Sequence, residues 1–139
     1  DVFDRPADAD VARIVGVETL LPGRIETVRD GLATVLVGEV SLLALAPADP
    51  APEVFVCLRG EDVILQRDGG ASSSVRNRLP ARIVAVRRDR PLARIELDAG
   101  FPLFALVTHP ACEELDLRPG QTVTALIKAP AIHLIARRA

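Results

Sequence analysis

From Leu32 onward the apolar residues fall in short runs of Val, Ile and Leu, punctuated by Gly, Pro and Asp. Runs such as Ala33-Thr34-Val35-Leu36-Val37 and Ala93-Arg94-Ile95-Glu96-Leu97 alternate with a period near two, which sends successive side chains to opposite faces and predicts short strands. Asp30-Gly31 is a predicted turn between Arg24–Val28 and Leu32–Val37, and Ala99-Gly100 between Leu92–Leu97 and Pro102–Val107, because glycine readily takes the positive φ of hairpin turns. Only Asp8–Val15 and Pro110–Leu117 are predicted helices. The second opens on a proline suited to a first helical turn and is closed by Pro119-Gly120.

The strand pattern occurs twice. Pro22–Arg29 aligns with Pro80–Arg87, Glu53–Arg59 aligns with Thr122–Lys128, and each copy ends in a predicted strand, Val63–Leu65 or Ile132–Leu134. The second copy is longer because the helix Pro110–Leu117 precedes its fourth strand. Five short strands with a helix between the third and fourth is the pattern of an OB-type barrel, which closes its sheet to remove exposed edges. The expected fold is therefore all-β: two tandem OB-like five-stranded barrels, with one short helix in the second. Residues 1–20 are expected to form a tail and linker, 21–70 a degenerate first half and 71–139 the second half. The polar stretch Arg67–Ser74 reads as a linker between the halves.

Composition adds an asymmetry to this repeat. Residues 1–70 carry 6 arginines against 13 acids and residues 71–139 carry 11 Arg or Lys against 6, so an acidic half precedes a basic one. That points to an anion attracted by the second half. There is no methionine, so a piece of a longer protein is expected. No apolar run approaches the ~18 residues of a membrane span, and a soluble module is expected. Cys57 and Cys112 lack metal-ligand spacing and are expected to be buried thiols of a cytosolic protein.

Several chemistries lack their parts. The single lysine, Lys128, follows Ile127, so the Gly-Lys step of a Walker phosphate loop is missing and no ATP site is expected here. His109 and His133 lie on separate elements without a spaced Cys or carboxylate, and Glu113, Glu114 and Asp116 read as the solvated face of the helix. No catalysis is expected. Base stacking needs aromatic platforms, yet the chain has four Phe and no Tyr or Trp, and Phe55, Phe101 and Phe104 are expected to serve as core. Nucleic acid is therefore not an expected partner.

What the second half does offer is a hydroxyl-and-cation cluster. Ser72-Ser73-Ser74-Val75-Arg76-Asn77 precedes its first strand, and Lys128 ends its fourth. Converging hydroxyls, backbone N–H groups and one or two cations are the donors that hold a tetrahedral oxyanion.

The run Ser74-Val75-Arg76-Asn77 before Leu79–Val84, with Glu114–Gly120 and then Ala125–Pro130, resembles the Mop domain, which is of the TOBE type. Val2–Asp8 and Val11–Glu18 resemble the segment where the nucleotide-binding domain of an importer-type ABC ATPase passes into its C-terminal regulatory domain, and Arg59–Leu65 resembles the strand preceding its Mop unit. The resemblance implies the C-terminal regulatory domain of the ATP-binding subunit of a molybdate ABC transporter. It implies molybdate or tungstate as ligand, bound at the interfaces of a homodimer, and restraint of transport when the cell is replete. It also implies a permease partner reached through the parent ATPase, and a cytoplasmic place at the inner face of the membrane. Carried over by position, the oxyanion-binding residues are Ser74, Arg76, Thr108 and Lys128. Ala111 stands where some family members have a contacting serine, and the first half has Arg59 in place of lysine and only Thr19 as a hydroxyl in Gly16–Leu20. The alternative is a scaffold that dimerises the same ATPase subunit and binds no ligand.

Overall fold

The computed structural model describes residues 18–48, 51–67 and 77–137. The expected helix Asp8–Val15 lies outside them. The strands are β1 (Glu18–Arg29), β2 (Leu32–Val37), β3 (Val40–Leu45), β4 (Glu53–Arg59), β5 (Ile64–Gln66), β6 (Asn77–Asp89), β7 (Leu92–Asp98), β8 (Pro102–Thr108), β9 (Thr122–Ile127) and β10 (His133–Ala136), with α1 (His109–Leu115) between β8 and β9. The protein is thus mainly β, with two curled five-stranded antiparallel sheets of the OB-like kind and one short helix in the second repeat.

Each repeat builds four strands of one sheet and lends its fifth to the other. The first sheet runs β10-β4-β1-β2-β3 and the second β5-β9-β6-β7-β8, so β5 leaves the first repeat and β10 leaves the second. Short 3₁₀ turns make both crossings, at Gly60–Asp62 and Ala129–Ala131. Val63 and Ile132, expected to open the last strands, instead cap these turns and point into the core, 3% and 1% exposed. The sheet pairing therefore crosses the sequence boundary at residue 70.

The long first strand of each repeat serves two neighbours because it is bent. β1 starts at Glu18, well before the expected Arg24, and pairs with β4 through Arg24 before continuing along β2. Register slips between Ile25 and Thr27 in β1 and between Ile83 and Ala85 in β6, at equivalent points of the repeat. A bulge of this kind sharpens local twist and lets one strand turn a barrel corner. At the corner, the Ile25 N–H donates to the Pro52 carbonyl at 2.9 Å and the Ile83 N–H to the Gln121 carbonyl at 2.8 Å. Gly23, just before the first corner, leaves no room for a side chain: a Cβ there would lie 2.9 Å from both Val35 Cγ1 and Val56 Cγ2.

Inward residues of both sheets form one continuous cluster. Val35, Val54, Val56 and Leu58 from the first repeat share it with Ile83, Ile95, Leu97, Leu103 and Ile127 from the second. Of the phenylalanines expected in the core, Phe101 is buried, whereas Phe55 and Phe104 are half-buried and Phe55 stacks under the Arg137 guanidinium, 5.2 Å from the ring centroid. Neither cysteine forms a disulfide among the described residues; Cys112 is buried and Cys57 half-buried.

The helix α1 begins one residue before the expected Pro110. The Thr108 hydroxyl accepts from the Ala111 N–H at 3.2 Å, the bond that satisfies an orphan donor at a helix start. Asp116 takes a left-handed conformation (φ 52°) and ends the helix, and Leu117 beyond it is buried with Cys112. Both side chains belong to the common core. Among the described residues no helix is long and apolar enough to cross a membrane.

Candidate oxyanion site

Lys128 sits at the point where the chain leaves β9. Ile127 is fully buried and pairs with Asn77, the first residue of β6; Lys128 follows in extended conformation with its side chain exposed. The Ala131 N–H donates to the Lys128 carbonyl at 2.9 Å, so the turn Ala129–Ala131 fixes the lysine backbone. Lys128 makes no ion pair among the described residues. Its counterpart in the first repeat is different: Arg59 donates through Nη2 to Glu61 Oε2 at 3.0 Å. One copy thus presents a free cation at its sheet crossing, and the other presents a neutralised one.

Ser74 and Arg76 lie outside the described residues. Asn77, which follows Arg76 in the chain, is buried at 5% exposure and bonded at three points. Its Oδ1 accepts from the Leu43 N–H at 2.8 Å, and its Nδ2 donates to the Leu43 carbonyl at 2.9 Å and to the Ile127 carbonyl at 3.1 Å. Asn77, the residue after Arg76 in the chain, and Ile127, the residue before Lys128, are therefore bonded neighbours. Sequence reasoning recorded Asn77 within a motif and missed its role, because its partner Leu43 belongs to the other repeat.

Thr108 is placed elsewhere. It pairs with Leu92, which in turn pairs with Asp89 at the far end of β6 from Asn77. Twelve steps of strand separate the two ends, a contour of about 40 Å. Within one chain, Thr108 belongs to a different end of the second sheet from Lys128. Its hydroxyl caps α1, Ala111 provides a backbone N–H to that cap, and the N–H of His109 donates to the Pro91 carbonyl at 2.8 Å.

An arginine-lined cleft of about 550 Å³ opens at that end, walled by Arg87, Arg88, Asp89, Leu92, Arg94 and Leu106. Arg87 and Arg94 are direct cross-strand partners, and neither has an ion pair or side-chain hydrogen bond among the described residues. Arg88 lies 3.6 Å from Glu113 on α1. The equivalent cleft of the first repeat has Thr27 opposite Thr34. The basic excess of the second half is thus concentrated partly here. A turn placed at Arg90-Pro91 would have revealed the opposed arginines from sequence, since it sets the hairpin register.

The other ionisable residues weighed from sequence behave as surface groups. Glu113 and Asp116 engage Arg88 and Arg118, and His133 is exposed on β10 opposite Cys57. Among the described residues no group of three or more His, Cys, Asp or Glu is placed to hold a metal ion.

Comparison with known proteins agrees with the fold. Residues 73–134 match the TOBE domain. Over 135 residues the chain is 32% identical to the molybdate/tungstate import ATP-binding protein WtpC of Pyrococcus horikoshii, an alignment covering 96% of this chain and 37% of that protein. It is 33% identical over 138 residues to the molybdenum import ATP-binding protein ModC of Rhizobium etli, covering 96% of this chain and 38% of that one. The chain therefore spans little more than a third of the length of these relatives. Among solved structures, the cytoplasmic molybdate-binding protein ModG superposes with a TM-score of 0.77 at 24% identity, over 86% of this chain and 96% of ModG, which establishes the shared fold. Residues 73–134 of the chain thus belong to the TOBE domain family, and nearly its whole length aligns with part of such import ATP-binding proteins.

Proposed function

We propose that this chain is the regulatory oxyanion-binding part of an importer's ATP-binding subunit, taking up molybdate or tungstate on the cytoplasmic side and restraining transport. The observation that carries the reading is Lys128, without an ion pair among the described residues and one residue beyond the Asn77–Ile127 pair; Ser74 and Arg76 shortly precede Asn77 in the sequence. Thr108 sits at the other end of the same sheet. A site using all four residues is therefore completed by a second copy, with Thr108 of one protomer facing Ser74, Arg76 and Lys128 of the other.

A dianion bridging two protomers favours the arrangement that brings both sets of donors together, since separating them loses half the donors. This is how an ion can hold an ATPase dimer in one state. The first repeat, whose Arg59 is neutralised by Glu61, has the packing and dimerising role. The chain itself catalyses nothing in this scheme. ATP hydrolysis and the permease contact belong to the parent subunit, placed at the inner face of the membrane.

Calorimetric titration with sodium molybdate tests the proposal. Binding by the parent, weakened at least tenfold by Arg76→Ala and by Lys128→Ala, is the expected result; no heat at millimolar molybdate or tungstate refutes it. A second reading, a dimerising scaffold without ligand, is favoured by Ala111, which lacks a hydroxyl at the Thr108 end. Equal thermal stability with and without molybdate would support the scaffold, because a ligand at a hundred times its Kd adds about 2.7 kcal/mol to the native state.

A further inference from the structure

Asn77 and Thr19 are the buried polar residues among those described, and they occupy equivalent positions of the repeat. Each stands near the start of its repeat's long strand, opposite the residue before the basic one: Thr19 opposite Leu58, Asn77 opposite Ile127. Each reaches across to the third strand of the other repeat. Thr19 makes one bond there, accepting from the Phe104 N–H at 3.3 Å. Asn77 makes two, to the N–H and carbonyl of Leu43, and a third to Ile127.

The asymmetry has a physical consequence. β3 is an edge strand of the first sheet, and the Asn77 carboxamide fills the role of a neighbouring peptide, accepting and donating to the same residue. Its remaining donor closes on the strand that carries Lys128. Both of the amide's N–H donors are thereby used. Lys128 follows Ile127 directly, so a shift of its backbone is felt at this three-point junction.

We infer that Asn77 is a positioning residue that couples the oxyanion site of the second repeat to the edge strand of the first. The inference rests on the oxyanion reading proposed above. It assigns the first repeat a task although its own basic position is neutralised: an anion that immobilises Lys128 tightens β3, and loosening of β3 weakens the site by the same factor, as linkage requires. Thr19, with one bond and the paired Arg59 beside it, holds the opposite seam without such a link.

The test uses the full 139-residue chain. Amide exchange at Leu43 is followed with and without saturating sodium molybdate, and molybdate affinity is measured for Asn77→Ala, Asn77→Thr and Thr19→Ala. Molybdate is expected to slow Leu43 exchange in the parent about tenfold, within the usual range of coupling. Asn77→Ala is expected to weaken molybdate binding about tenfold and abolish the slowing, and Asn77→Thr, which copies the other seam, to restore part of both. Thr19→Ala is expected to lower thermal stability while leaving molybdate affinity within about twofold of the parent, a split that general loosening would not produce. A parent that binds molybdate without any change at Leu43, or Asn77→Ala or Asn77→Thr binding with full parent affinity and no slowing, overturns the coupling alone. A parent that gives no heat with molybdate or tungstate overturns the oxyanion reading and the coupling with it.

Discussion

Leu65→Ala tests the exchange of strands between the repeats. Leu65 belongs by sequence to the first repeat, yet its strand pairs with β9 through Ile64–Leu126, Leu65–Ala125 and Gln66–Thr124, and its side chain is 6% exposed in the common core. Truncating a buried leucine costs about 2–5 kcal/mol, from lost transfer energy and from the cavity left behind. β5 is a three-residue edge strand that can relax into the space, so the lower part of that range, about 2–3 kcal/mol, is expected. For a chain of this size that is a fall in Tm of roughly 6–12 °C. Urea unfolding gives the magnitude, and amide exchange gives the place. Exchange should accelerate more in β9, around Thr124 and Leu126, than in β4, which follows only the fall in global stability. A larger acceleration in β4 than in β9 would show that β5 pairs within its own repeat, and would refute the exchanged arrangement.

Three further outcomes are expected. Gly23→Ala should cost about 1–3 kcal/mol in urea unfolding, because the new methyl meets Val35 and Val56 at 2.9 Å. Thr108→Ala removes the cap of α1 and should cost about 0.5–2 kcal/mol, with local exchange rising at Ala111; no loss would mean the hydroxyl bond contributes nothing. The double substitution Arg87→Thr with Arg94→Thr copies the first repeat and removes two opposed, unpaired cations; stability should rise by about 0.2–1 kcal/mol in low salt, with the gain fading toward 1 M salt as the charges are screened. A gain independent of salt would argue against an electrostatic cause.

Much of the architecture was legible in the alternation of side chains. The inward positions Ala33, Val35, Val37 and Ala93, Ile95, Leu97 are those the period of two selects, and the turns at Asp30-Gly31 and Ala99-Gly100 follow from residues that tolerate left-handed backbone. The helix between β8 and β9 announced itself through its proline and the Pro-Gly after it. The repeat was visible because both copies solve the same corner, with a bulge at the same point.

Sequence by itself determined most of the inward positions, the turns at Asp30-Gly31 and Ala99-Gly100, and that the second copy holds more cationic groups. Alternation assigns a face and is silent on partners, since any strand of matching pattern satisfies the same rule. Only the tertiary structure decided that β5 and β10 change sheets, that Asn77 bonds to Leu43, that Arg87 opposes Arg94, and that Thr108 lies at the far end of β6 from Lys128. Those facts come from closing two short sheets around one core, where each unpaired edge has to find the nearest free backbone regardless of its distance along the chain.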